Sequence, residues 1–301
     1  MPGPAPSTAF RSPTVTASPI SKYALLREQV LAEGVVLSEC MHDPTRARRE
    51  DLLLVHTADY VDRFTRGELT PMEERRLGFP WSDALVERSY RAAGGTLDAA
   101  RYALGHGVAM NLAGGTHHAF PDHGEGFCVF NDVAIAIRAL QRDNVIERAA
   151  IVDLDVHQGN GTHAVFAGDA RVFTFSMHGG RNYPFKKVPG CLDIELDDRI
   201  GDDEYLRRLA DALPGVLAAA RPDLVVYLAG ADPHEHDRLG RLSLTFDGLA
   251  RRDSMVLERC REVGLPVVVT IAGGYGDPIE GTVRVHLTTA RIAARYAGPN
   301  G

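Results

Sequence analysis

Residues 149–161 read AAIVDLDVHQGNG, an apolar run that ends in three ionisable side chains and two glycines. Ala149 to Val156 is apolar on both faces, as expected of a strand covered by helices on each side of a parallel sheet. Comparable runs recur at Leu52 to Val55, Val108 to Leu112, Val172 to Ser176, Leu224 to Ala229 and Val267 to Ala272. Helical spacing fills the intervals Ser82 to Leu104, Asn131 to Gln141, Asp202 to Ala220 and Phe246 to Val263. Alternating strands and helices predict a doubly wound α/β fold. No internal repeat and no central linker rich in Pro, Gly or Ser divides the chain. The reading is one domain over residues 18–297, with residues 1–17 a flexible leader and residues 298–301 a tail.

The polar end of the opening stretch carries the chemistry. Asp153, Asp155 and His157 stand at i, i+2 and i+4, so an extended backbone points all three to one face. Burying them together is costly unless a cation or hydrogen bonds compensate. Two carboxylates and an imidazole form a ligand set for a divalent metal. A buried Asp–His hydrogen-bond network would use the same spacing, and both readings stand at this point. Gly159 and Gly161 favour the metal, because they let backbone approach a site closely.

Sites in open α/β sheets form beyond the carboxyl ends of the strands, and other polar clusters fall there. DLVVYLAGADPHEHDRLG (223–240) runs from an apolar strand into Asp232, either a ligand or a turn aspartate. PVVVTIAGGYG (266–276) ends in Tyr275, whose hydroxyl either donates to an oxyanion or merely packs at a rim. NLAGGTHHAFPDHGEGFCVFND (111–132) sets His117 and His118 directly after Gly114 and Gly115. Adjacent histidines meet one site only on an irregular loop, which the glycines allow. A neutral imidazole beside an activated water suits a general base. Of the 12 histidines, His42, His56, His106, His123 and His163 lack such a context and read as structural or solvated.

Composition narrows the function class. The chain has 301 residues, 45% hydrophobic and 24% charged, which fits a globular protein with a filled core. Its 33 Lys and Arg against 40 Asp and Glu give a net charge of -7, which argues against direct nucleic-acid binding. A negative rim would still attract a lysine side chain or a polyamine. The 4 cysteines, Cys40, Cys128, Cys191 and Cys260, are dispersed, as in reduced cytosolic proteins. The N-terminal segment lacks an apolar export core, and no run of about 18 apolar residues occurs, so a cytoplasmic location is expected, with no membrane span. The oligomeric state is not legible.

Taken in order, GGTHHA (114–119), GEGFCVFNDVAIAI (124–137), VDLDVHQGNGTHAVF (152–166), FSMH (175–178), LAGADPHEHDRLGRLSLT (228–245) and AGGYGDPIEGTV (272–283) resemble the histone deacetylase family. Within it they are similar to the class IV and bacterial deacetylase-like subgroup. SKYALLREQVLAEG (21–34) and LLLVHTADYVDR (52–63) also look like that subgroup. The likeness covers residues 18–297. It implies an arginase/deacetylase fold, a single domain with a mostly parallel sheet of about eight strands flanked by helices.

By resemblance, Asp155, His157 and Asp232 hold Zn2+, with Fe2+ the other ion that this donor set suits. His118 is then the general base, His117 its partner beside the oxyanion, and Tyr275 the donor to the substrate carbonyl. Asp153 orients His117 and Asn160 orients His118. Where many family members carry Asp, the uncharged Asn160 stabilises imidazolium less, which keeps His118 neutral. A structural K+ or Na+ is implied at Asp153, Asp155, His157, Ser176 and Met177, mostly through backbone oxygens, and a second at Phe166, Asp169 and Val172. Gly126, Phe127, Leu239 and Tyr183 are implied as tunnel walls. Departures occur at His234 and His236, bulky groups that would either narrow the tunnel mouth or contact the substrate, and at Ser18 and Ile20, where His-Phe is usual before the Lys-Tyr step.

The expected reaction is removal of an acetyl or longer acyl group from lysine side chains by metal-activated water. An alternative substrate is an acylated polyamine or other small amide. A non-catalytic acyl-lysine-binding relative is the rival from another class. A binuclear ureohydrolase is disfavoured because no second Asp-rich metal motif is present.

Overall fold

The computed structural model describes residues 21–297. The chain runs α1 (Ser21–Ala32), α2 (Arg49–Leu52), α3 (Ala58–Arg66), α4 (Pro71–Leu77), α5 (Asp83–His106), β1 (Val108–Asn111), α6 (Asp132–Arg142), β2 (Ala149–Asp153), α7 (Asn160–Phe166) and β3 (Val172–Gly179). It continues through β4 (Leu192–Leu196), α8 (Asp202–Ala220), β5 (Leu224–Ala229), α9 (Phe246–Glu262), β6 (Val267–Ile271) and α10 (Glu280–Tyr296). The strands pair in the order β1-β6-β5-β2-β3-β4, every pair parallel. All strand ends that carry the polar clusters therefore emerge along one edge.

The central strands are buried on both faces, which is why they read as continuous apolar runs. Ile151, Val226 and Val268 pack with α5 and α6 on one face. Val152, Tyr227 and Val269 pack with α8 and α9 on the other. Ile135, Ile137 and Leu140 of α6 are 0% exposed, and each such burial contributes about 1.5–3 kcal/mol. Side-chain caps start the long helices: Ser82 accepts from the Leu85 amide, Asn131 from Ala134 and Thr245 from Gly248. α1 lies against α10, with Leu26, Val283 and Leu287 forming a smaller core.

The sheet has six strands among the described residues, not about eight. Leu52 to Val55 is no strand; it closes α2 and turns back, with the Val55 and His56 amides donating to the Leu52 carbonyl. The charged run before it supplies the helix, and its leucines enter the core from there. β2 also stops at Asp153, short of Val156, so Asp155 and His157 do not continue a strand face. The Leu154 amide still donates to Leu228, but the next three amides donate to the carboxylates of Asp153, Asp232 and Asp155. Side-chain capture replaces the ladder there. β4 and α10 went unread: the first is a short, half-polar edge strand, the second begins within the loop that follows Tyr275.

The leader, the tail, Ser18 and Ile20 lie outside the described residues. Among the described residues no helix is long and apolar enough to cross a membrane.

Candidate active site

Asp155 and Asp232 are 0% exposed and His157 is 7% exposed, at the ends of β2 and β5. His157 Nδ1 lies 3.0 Å from Asp155 Oδ1 and 3.1 Å from Asp232 Oδ2. Each residue offers one ligand atom, and these atoms all lie within 4.8 Å of one another. Burial and the charge of Asp155 push the Asp232 carboxyl up. Burial lowers the His157 imidazole, yet the two carboxylates outweigh it and raise it to about 10. Two buried carboxylates thus face one imidazole, and a divalent ion fits this donor set.

Backbone packing fixes these ligands. The Val156 amide donates to Asp232 Oδ1 (2.9 Å), and the Gly273 amide donates to Asp155 Oδ2 (2.6 Å). A Cβ at Gly273 would overlap the Asp232 carboxylate, so the segment that leaves β6 needs glycine at this point. Gly273→Ala is accordingly expected to weaken divalent-metal binding by roughly 10–100-fold. Competition with a chromogenic chelator measures this; unchanged affinity in a folded variant would show the cradle to be slack.

The histidine pair comes from the loop after β1. Gly114 (φ 86) and Gly115 (φ 66) turn the chain there. Asp132, at the start of α6, holds the loop by accepting from the amides of Gly115 (3.1 Å) and Thr116 (2.8 Å). His117 Nδ1 pairs with Asp153 Oδ2 at 2.7 Å, which leaves Nε2 3.9 Å from Asp155 Oδ1. His118 Nδ1 donates to Asn160 Oδ1 at 2.7 Å, which leaves its Nε2 free. Burial opposes charge on both rings. At His117 the Asp153 carboxylate wins and raises the imidazole to about 9. At His118 burial, reinforced by His117 and His157, holds it well below its ordinary value. One ring is a cation and its neighbour a neutral base.

Tyr275 faces the same place from the loop after β6, its ring 6.3 Å from that of His157. Burial, then the charges of Asp232 and Asp155, hold the phenol well above its ordinary value, so it keeps its proton. His117, His118, Asp155, His157, Phe127 and Tyr275 line one cavity.

Of the expected walls, Gly126 and Phe127 line this cavity. Phe127 adopts φ 65, rare for a residue with a Cβ, and its amide donates to the Leu77 carbonyl at 2.8 Å. Tyr183 stands edge-on to His118, with centroids 4.9 Å apart. Leu239 is 46% exposed, and its carbonyl accepts from Asn182 beside Tyr183. His234 and His236 do not narrow this cavity. His234 packs on Phe246, centroids 4.2 Å apart, and both histidines line a separate cavity with Asp237 and Thr282.

Ser176 pairs in register with Asp153, and its Oγ lies 2.9 Å from His178 Nδ1; Met177 follows it on β3. Phe166, Asp169 and Val172 gather in the turn from α7 to β3, where Arg138 and Arg171 hold the Asp169 carboxylate. His56 and His163 are buried and bond to backbone, as structural histidines do.

Several supporting residues escaped the sequence reading. Glu125 accepts from Asn160 Nδ2 at 2.7 Å, so the orienting amide of His118 is itself held by a carboxylate. Asp237 accepts from the Tyr275 amide at 2.6 Å. Arg252, 0% exposed, donates to the carbonyls of Leu154 and Gly230 and ties the ends of β2 and β5 together. Asp132 and Glu125 lay inside a quoted motif, but nothing in their spacing pointed at the histidines. Arg252 sits mid-helix, with no local signal at all.

The histone deacetylase domain family model matches residues 17–290. An uncharacterized protein of Picosynechococcus is 47% identical over 275 residues, 91% of this chain and 92% of that protein. Histone deacetylase 2 of Arabidopsis thaliana is 33% identical, with 85% of this chain and 68% of that protein covered. A probable deacetylase of Archaeoglobus fulgidus is 32% identical over 92% of this chain and 80% of its own length. The crystal structure of an HDAC homolog complexed with SAHA superposes with a TM-score of 0.80 at 27% identity, covering 90% of this chain and 77% of that one. With the fold, the motifs and these relatives in agreement, the chain belongs to the histone deacetylase family, hydrolases that act on amides.

Proposed function

We propose that this chain is a zinc-dependent deacylase that hydrolyses the ε-amide of acyl-lysine side chains. The observation that carries the proposal is the convergence of a buried two-carboxylate, one-imidazole cluster, a cationic and a neutral histidine, and a protonated phenol on one cavity. Zn2+ bound by Asp155, His157 and Asp232 would supply Lewis acidity and a more acidic water.

The remaining work falls to this chain's own side chains. His118 Nε2 takes a proton from the attacking water and later passes it to the departing lysine amine. Asn160 fixes the tautomer by accepting from Nδ1–H, and Glu125 fixes the Asn160 amide in turn. His117, held cationic by Asp153, places positive charge beside the developing oxyanion. The Tyr275 hydroxyl donates to the same oxygen. Phe127 and Tyr183 shield the reacting amide from bulk water. The deacetylase names of the Arabidopsis and Archaeoglobus relatives support the reaction class.

A substrate panel tests the reading. Acetyl-lysine peptides are expected to be cleaved with kcat/KM at least about tenfold above acetylated polyamines, a difference of about 1.4 kcal/mol in transition-state binding. A reversed order would move the substrate to small amines. Binding without turnover of any member would make the chain a non-catalytic relative.

A further inference from the structure

The cavity lined by Asp155, His157 and Tyr275 also carries Lys22 and Arg88 on its wall. Lys22, from α1, is 4% exposed, and its Nζ donates to the Ala272 carbonyl at 2.9 Å, with Gly274 O at 3.5 Å. Arg88, from α5, sets its guanidinium carbon 4.7 Å from the Tyr23 ring centroid, and Lys22 Nζ lies 5.3 Å from the same centroid. Two cations thus share one aromatic ring inside one cavity.

Among the described residues, neither is paired with a carboxylate, and Arg88 makes no hydrogen bond. The protein elsewhere pairs its arginines freely, Arg63, Arg138 and Arg142 among them. Lys22 is buried and Arg88 half-buried, and cations that face a substrate cavity with no carboxylate partner among the described residues suit an anion from outside. An ammonium with two carbonyl acceptors keeps a third donor, and a guanidinium with no hydrogen-bond partner among the described residues offers a fork matched to a carboxylate. In a chain of net charge -7, this local positive wall is a reversal of the overall sign.

Position supplies the rest. Lys22 Nζ is 5.6 Å from the ring centroid of Tyr275. An acyl group whose carbonyl meets the Tyr275 hydroxyl would extend toward Lys22, with Arg88 beside Tyr23 on the same cavity wall. We propose that this cavity selects acyl groups that end in a carboxylate, of succinyl or glutaryl length, with Arg88 and Lys22 as the recognising pair. The inference rests on the acyl-lysine hydrolase reading above. The reaction is unchanged: water adds its oxygen to the acyl carbon, the C–N bond breaks, and the lysine amine leaves with a proton. The released acid is a dicarboxylate.

A carboxylate also reaches these cations as the product of any acyl-lysine, and the test separates the two sources. Identical peptides bearing acetyl-, butyryl- or succinyl-lysine are compared on the zinc-loaded protein. Butyryl matches succinyl in chain length without the charge. The succinyl peptide is expected to exceed the butyryl peptide in kcat/KM by about tenfold or more, as one charge-assisted pair allows. Arg88→Gln should collapse that ratio, and Arg88→Lys should restore part of it. Calorimetric titration of the metal-free protein gives a readout independent of turnover: the succinyl peptide should bind more tightly, and Arg88→Gln should erase the difference.

Cleavage of the acetyl and butyryl peptides without the succinyl one would overturn the inference and leave the deacylase reading intact. Equal slowing of all three by Arg88→Gln would assign the cations to the departing product instead, and also overturns it. Failure to cleave any of them removes the deacylase reading, and this inference with it.

Discussion

Chelation of divalent metal is expected to abolish hydrolysis of an acetyl-lysine peptide, and one equivalent of Zn2+ to restore it. The expectation follows from charge. Asp155 and Asp232 are fully buried and share His157 Nδ1 as their nearest positive group. Without a metal, a proton on His157 must balance them, which is why that imidazole is raised to about 10. A divalent ion displaces the proton, so metal affinity should fall as pH is lowered. Because the folded chain alone assembles this donor set, metal also stabilises it, by about 4 kcal/mol at a thousandfold excess over Kd. Chelation should therefore lower the melting temperature along with activity. Fe2+ suits the same donors, so reconstitution under anaerobic conditions with each ion decides which supports faster turnover. Full activity and an unchanged melting temperature in metal-free protein would remove the metal from the mechanism.

The part of the site that lies on regular structure was legible in the sequence; the part held by irregular backbone was not. Asp155 and Asp232 could be placed because buried strands announce themselves as apolar runs, and the residues after them fall at one sheet edge. The histidine loop was legible only as a possibility, through Gly114 and Gly115. What aims it, Asp132 in the first turn of α6, acts across sequence and leaves no periodic trace. The reading that Asp153, Asp155 and His157 share a strand face failed for a related reason. Periodicity assumes that backbone amides go to a neighbouring strand, whereas here carboxylates take them one residue after another. Leu52 to Val55 misread as a strand because a short apolar run at a helix end is indistinguishable from one inside a sheet. Lys22 lay inside the quoted stretch SKYALLREQVLAEG, but nothing local there or around Arg88 shows that α1 and α5 meet at the cavity.

Tyr275→Phe is expected to lower kcat by about 10²–10³, the loss typical of removing one oxyanion donor, while KM and metal content stay near native. The separation of these effects is what the geometry dictates. Tyr275 is positioned by its backbone: its amide donates to Asp237, and the next amide, of Gly276, donates to Thr282 Oγ1. Its ring packs between Phe127 and His157, centroids 5.9 and 6.3 Å away. None of these contacts uses the hydroxyl, so phenylalanine keeps the same seat and the cavity keeps its shape. The hydroxyl is also no member of the donor cluster, so one metal per chain should remain. What is lost is a donor held protonated by burial beside Asp232 and Asp155, aimed at charge that appears only as the carbonyl is attacked. An interaction made only in the transition state lowers kcat and kcat/KM together and leaves ground-state binding alone. A tenfold weaker KM with native kcat would instead show that Tyr275 merely grips the acyl group, and unimpaired turnover would remove it from the mechanism.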